Sequence, residues 1–208
     1  MQHLISLFPG TYFHQNINNL AGIYNNLGTA IHTWQQNSRL ACPGGCGICC
    51  ENFEPEVQGV EADYCSLFLL YRQPKLLNRI YNLSEARHCL FYDPHNPGHC
   101  AIYPARPLLC RLFAFAALTD KNNQPSFRLC LHIQPDLKQR LYTGEQLTTR
   151  FKTIPPLMQD YSMQVKNIDA GCQSPPRPLR QVIHQSLQKI NLLDRLAQGT
   201  PVRQSRPH

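Results

Sequence analysis

The sequence predicts a single domain that is mainly α-helical, with a small irregular or β, cysteine-rich metal-binding centre: an α+β arrangement. Three observations carry this expectation. Apolar residues recur at helical spacing near both ends of the chain. Four thiols fall within nine residues, Cys42-Pro43-Gly44-Gly45-Cys46-Gly47-Ile48-Cys49-Cys50. Residues 84–111 then combine four prolines and three more cysteines with few periodic apolar positions.

The first helix is predicted over about residues 17–36, where Ile17, Leu20, Ala21, Tyr24, Leu27, Ile31 and Trp34 form one stripe and Asn and Gln fill the other face. It delivers the chain to the thiol cluster, and His32 reads as a surface residue. Four sulfurs so close cannot pair into useful disulfides, because adjacent cysteines point apart and short loops remove little unfolded-chain entropy. Convergence on a soft metal suits them better. Cys46-x-x-Cys49 is the chelating pair, with Gly47 relieving the crowding, and Cys42 and Cys50 complete that site or start another. Neighbouring side chains diverge on regular backbone, so Cys50 is expected to leave Cys49 and point toward Cys89, Cys100, Cys110 or Cys130.

Glu54-Pro55-Glu56 has the composition of a helix start, with Val57, Val60, Tyr64, Leu67, Phe68 and Tyr71 continuing the stripe. Cys65 lies beside that stripe and is expected to pack rather than ligate. Pro74 breaks this helix, and Leu76, Leu77, Ile80 and Tyr81 suggest a short second one. The turn Asp93-Pro94-His95-Asn96-Pro97-Gly98 doubles the chain back, so that Cys89 and Cys100 face each other. His95 and His99 are discounted as ligands because enough thiols exist without them. Arg106-Pro107 opens a turn or helix carrying Cys110 and Arg111. Alternation from Ser126 to Ile133 predicts a strand presenting Cys130 toward the site. A helix is expected around Leu137–Phe151, interrupted at Gly144 and ended by Pro155-Pro156. Residues 170–178 read as a linker containing a bystander, Cys172. A last amphipathic helix carries Leu179, Val182, Ile183, Ser186, Leu187, Ile190, Leu193 and Leu196, and a disordered tail follows from Gly199.

Composition bounds the function. The chain of 208 residues is long enough for one sizeable core, and its ten cysteines, about 5% of the residues, fall below the density of small disulfide scaffolds. The expected division is a metal-binding domain over 1–170, with its motif core at 40–132, and a basic helix and tail over 171–208, the helix packed on the domain. Without a charged leader or a membrane-length apolar run, the expected location is cytoplasmic. The net charge is +7, and from Arg177 to His208 six basic residues face only Asp194, giving 6 − 1 = +5. With no recognised module beside it, this charge reads as a solvated helix face and not a nucleic-acid site.

The order of these cysteines resembles that of the CxxCxxCC zinc- or iron-chelating proteins, also called YkgJ-like cysteine-cluster proteins. The resemblance rests on Cys46-Gly47-Ile48-Cys49-Cys50, Cys89, the string Cys100-Ala101-Ile102-Tyr103-Pro104-Ala105-Arg106-Pro107-Leu108-Leu109-Cys110-Arg111, and Cys130. One departure is that Cys42 precedes Cys46 by four positions where the family name implies three. The resemblance implies metal or iron–sulfur binding with no defined reaction. A related cluster in flagellin lysine N-methylases brings no further match to a methyltransferase.

The metal set is therefore Cys42, Cys46, Cys49, Cys50, Cys89, Cys100, Cys110 and Cys130. These suffice for one four-thiolate site with spares or for two sites. A four-thiolate site with either a [4Fe–4S] core or zinc has a formal charge of about −2, which Arg106 and Arg111 are placed to compensate. Tyr103 reads as core packing with a hydroxyl handle. Surplus thiols favour an iron–sulfur protein acting in electron transfer or as a redox accessory with a protein partner. The alternative is a structural zinc protein that recruits a partner; a cysteine nucleophile with a paired histidine is not legible.

Overall fold

The computed structural model describes residues 4, 6–81, 88–96, 98–169 and 174–199, with backbone alone at 79. Helices dominate, and two small antiparallel sheets accompany them. Helix α1, Tyr12–Ser38, starts five residues before the apolar stripe, because the Thr11 hydroxyl accepts a hydrogen bond from His14 N at 3.1 Å and caps it. Its stripe crosses two cores. Ile17, Leu20, Tyr24 and Leu27 enter the larger, whereas Trp34 enters the smaller.

The expected helix start at Glu54-Pro55-Glu56 is corrected. Strand β1, Glu56–Val57, pairs there with β5, Arg177–Pro178, with Val57 opposite Arg177. The central helix α3, Gly59–Arg72, begins only after Gln58, whose backbone N donates to Glu61 Oε2 at 2.9 Å. It is Glu61 in the first turn, not Glu54 or Glu56, that satisfies the helix end. Ten consecutive residues of α3, Val60 to Leu69, are buried, so it is surrounded and not amphipathic. A 3-10 turn, Pro74–Leu76, and α4, Leu77–Tyr81, follow.

Helix α8, Leu179–Ala197, packs along α3 through Leu179, Val182, Ile183, Leu187 and Ile190. Each such side chain removed from water contributes about 1.5–3 kcal/mol. Of the basic residues on this segment, Lys189 pairs with Asp63 and Arg180 with Glu54. Cys172 and the expected tail from residue 200 onward lie outside the described residues.

Strands β2, Leu118–Thr119, β3, Pro125–Arg128, and β4, Leu141–Thr143, form an antiparallel sheet in that order. Phe127, Tyr142 and Phe151 close on Trp34 there, with ring centroids 5.4 Å apart for Trp34–Phe127 and 5.2 Å for Trp34–Phe151. Two expectations are corrected in this region. The strand over 126–133 stops at Arg128, because the Arg140 guanidinium collects the carbonyls of Cys130, Ile133, Gln134 and Pro135 and curls the chain around itself. Leu131 is consequently 69% exposed. The helix over 137–151 is only α6, Glu145–Phe151, since 141–143 pair with β3 and Gly144 turns at φ +49. A further helix, α7, Met158–Lys166, carries too few apolar residues for its sequence to signal it. No helix among the described residues is long and apolar enough to cross a membrane.

Candidate metal centre

Three short segments bring the thiols together. The first is the cluster loop, where Cys46 N donates to Pro43 O at 3.1 Å, Gly45 takes φ +72, and one helical turn, α2, Ile48–Glu51, carries Cys49 and Cys50. A glycine at 45 is needed for that left-handed turn. The second is the doubled-back segment. Tyr92 bridges Cys100, Ala101 N donates to Phe91 O at 2.9 Å, and Asp93 N donates to His99 O at 3.1 Å. The third is α5, Leu108–Leu112, which carries Cys110.

The three segments are tied by backbone and by α3. Cys89 N donates to Cys50 O at 3.0 Å, stitching the first to the second. Tyr92 OH donates to Glu51 Oε1 at 3.1 Å beside that stitch. From α3, the buried Glu61 accepts from Leu108 N at 2.6 Å and Tyr24 OH at 2.9 Å, and Cys65 donates its thiol proton to Ala105 O at 3.2 Å. Glu61 and Cys65 lie one turn apart, so one helix face holds the chain leading to Cys110. Sequence analysis missed the role of Glu61; its only signal was an acid in the first turn of an otherwise apolar helix.

Cys42, Cys46, Cys49, Cys50, Cys89, Cys100 and Cys110 line one cavity of about 490 Å³. Cys130 is not among its walls. It packs at the edge of the smaller core, near enough to Cys42 for the two sulfurs to repel as thiolates. Cys65 is fully buried and is not one of the cavity walls. The expected divergence of Cys49 and Cys50 is corrected, since their sulfurs stand 4.0 Å apart within one helical turn. Negative charge on Cys89 or Cys100 would further raise the Cys50 thiol.

The expected environment of Tyr103 is also corrected: it is 49% exposed, at the cavity rim, with the Arg106 guanidinium over its ring at 3.7 Å. Arg111 also lines the cavity while bracing the turn: its Nε donates to Arg106 O at 2.7 Å, its Nη2 donates to Pro104 O at 2.8 Å, and it stacks on Tyr24 at 4.0 Å. Arg106 is different, because its Nε is buried without a hydrogen-bond partner. It is the charge that favours thiolate at Cys42, Cys49, Cys100 and Cys110.

The thiols divide by electrostatics. A hydrogen bond from Cys50 lowers the Cys49 thiol to about 6, and the same bond, together with burial, raises Cys50. Burial pushes Cys42 and Cys89 up to about 11 and also raises Cys100 and Cys110. Protons thus hold most of these sulfurs in the neutral form, and a metal would displace them. Among the described residues, no three His, Cys, Asp or Glu side chains are already drawn to coordination spacing. The donor set fits a thiophilic metal: many sulfurs share one cavity with an unpartnered guanidinium N–H beside them.

Residues 41–131 match the family model described as CxxCxxCC, putative zinc- or iron-chelating domain. No curated protein and no solved structure matches the chain. The description of that model, chelation of zinc or iron, supports metal binding by the matched segment. Its boundaries run from just before Cys42 to just after Cys130, so the three thiol-bearing segments, α3 and β3 are all inside it.

Proposed function

We propose that the CxxCxxCC domain holds a cysteine-ligated iron–sulfur cluster and works in electron transfer or as an accessory to redox chemistry, in the cytoplasm, with a protein redox partner. The observation that carries this is the surplus of sulfur: seven thiols line one cavity of about 490 Å³, whereas a closed tetrahedral zinc site uses four ligands. When bound, such a cluster supplies reversible one-electron chemistry. The ligands come from Cys42, Cys46, Cys49, Cys50, Cys89, Cys100 and Cys110, and Cys130 is the eighth, reserve thiol. Arg106 offsets the negative charge of a thiolate set, and its unpartnered Nε is the donor available to a sulfur. Arg111 and Tyr103 act at one remove, by fixing the turn that holds Arg106.

Anaerobic purification with metal analysis tests this. Brown protein with broad visible absorption, iron and acid-labile sulfide is the expected result. Colourless protein with stoichiometric zinc would replace it with a structural zinc centre that recruits a partner.

A further inference from the structure

A nitrogen donor stands next to the walls of this cavity. His99 lies between Gly98 and Cys100, both of which line it. The Nδ1 of His99 is buried and has no hydrogen-bond partner. A Cβ built on Gly47 would stand 2.0 Å from His99 Cβ, 2.3 Å from Cγ and 2.4 Å from Nδ1. Gly47 is the first spacer of Cys46-x-x-Cys49. The imidazole is therefore seated in the chelating loop at the position where the loop has no side chain.

Its seat is built on both sides. The Tyr92 ring meets the imidazole edge-on, with centroids 5.8 Å apart. The backbone of His99 is held in the left-handed region at φ +54 by bonds from Asp93 N to its carbonyl and from its own N to Asn96 O at 2.7 Å. A histidine kept in this sparsely populated conformation costs energy that the surrounding contacts must meet, and such costs concentrate at functional sites. Buried side-chain N and O atoms without partners are few among the described residues. Trp34 Nε1 sits among aromatic rings in the smaller core and Ser66 Oγ within α3, while Arg106 belongs to the cavity wall and His99 Nδ1 lies against Gly47. An imidazole nitrogen left unbonded against the Cys46-x-x-Cys49 loop has a free lone pair to offer a metal held there.

We propose that His99 Nδ1 is a nitrogen ligand to the metal held by the Cys46-x-x-Cys49 loop, making the centre a mixed thiolate–imidazole site. This rests on metal binding by the CxxCxxCC domain and applies to iron and zinc alike. Nδ1 binds without its proton, which the neutral ring then keeps on Nε2. A neutral imidazole in place of one thiolate leaves the centre one unit less negative, which eases its burial beside a single unpartnered arginine.

X-ray absorption at the metal edge, on full-length metal-loaded protein, tests it with a readout other than activity. The expected wild-type spectrum has a sulfur shell together with the multiple-scattering pattern of an imidazole. His99→Ala should lose that pattern and keep the sulfur shell. His88→Ala and His95→Ala should keep both, and Gly47→Ala, whose methyl would occupy the place of the ring, should behave like His99→Ala. A wild-type centre with sulfur alone, or a pattern that survives His99→Ala, overturns the inference while thiolate ligation stands. A metal without a sulfur shell overturns the thiolate centre itself. Should His99→Ala hold no metal, loss of the pattern in His88→Ala or His95→Ala overturns the assignment, and its retention in both supports it.

Discussion

The helical body and the thiol-bearing segments solve opposite problems with buried polar groups. Between α3 and α8, Asp63 is 6% exposed yet accepts a hydrogen bond from Ser186 Oγ at 2.7 Å and pairs with Lys189. Glu61, 4% exposed, accepts from Tyr24, Leu108 N and Gln58 N. Both carboxylates are matched within the chain. By contrast, Arg106 Nε in the cavity wall and His99 Nδ1 against Gly47 are unmatched, and the thiols are held on backbone-tied segments. The body is finished by its own residues, whereas the site is arranged for something added. Ordered backbone and unsatisfied side chains coexist because α3 anchors the chain leading to Cys110 through Glu61 and Cys65.

The largest expected effect breaks the site and spares the body. Cys46→Ser or Cys49→Ser should abolish bound metal, while Cys65→Ser and Cys172→Ser should leave metal per chain unchanged, as read by elemental analysis. Loss of metal in the Cys65 variant would erase the division between packed and cavity thiols.

The converse substitution is Leu67→Ala, at a fully buried position of α3. It should cost about 2–5 kcal/mol in urea unfolding. The molecules that remain folded should keep wild-type metal content, and reduced metal in that fraction would show that body and site are not separable.

Glu61→Gln lies on the border between the two. The amide presents an N–H where Gln58 N donates, so one donor is left facing another, at a cost of about 1–3 kcal/mol. Burial raises the Glu61 carboxyl above its ordinary value, although its hydrogen bonds oppose this. The native state then binds that proton more tightly than the unfolded chain, so Glu61 makes stability fall as pH rises from the unfolded carboxyl range, about 4.3, through the raised native value. Unfolding of metal-free protein across that interval should show a shallower fall in Glu61→Gln. An unchanged slope would deny the carboxylate this role.

The smallest effect is expected from removing metal. Chelation should speed proteolysis between residues 88 and 111 and leave the helical circular dichroism essentially unchanged. Equal cutting rates with and without metal would mean that the backbone bonds alone order this stretch.

Much of this could be read from residue order, and the failures have identifiable causes. The stripe of α8 was legible because an amphipathic helix writes its one buried face into the chain with a 3.6-residue period. The start of α3 was misplaced because Glu56–Val57 are claimed by a strand partner more than a hundred residues away. Cys130 looked like a residue on a strand until Arg140, ten residues on, gathered four carbonyls and ended that strand early. His99 was discounted because enough thiols exist without it; its contact with Gly47, 99 − 47 = 52 positions away, leaves no local pattern.

By itself the sequence determined the helical periods, the breaks at Pro74 and Gly144, the turn that doubles back before Cys100, and the excess of thiols that makes metal the natural ligand. These are local properties, set by side-chain spacing, backbone freedom and sulfur chemistry within a few residues. Only the tertiary structure decided which thiols share a cavity, that Arg106 Nε is left without a partner there while Arg111 also braces the turn, and that the His99 ring lies against Gly47 of the chelating loop. Those outcomes depend on long-range contacts, Cys50 O with Cys89 N and Glu61 with Leu108 N above all, and such contacts are settled by how whole elements pack.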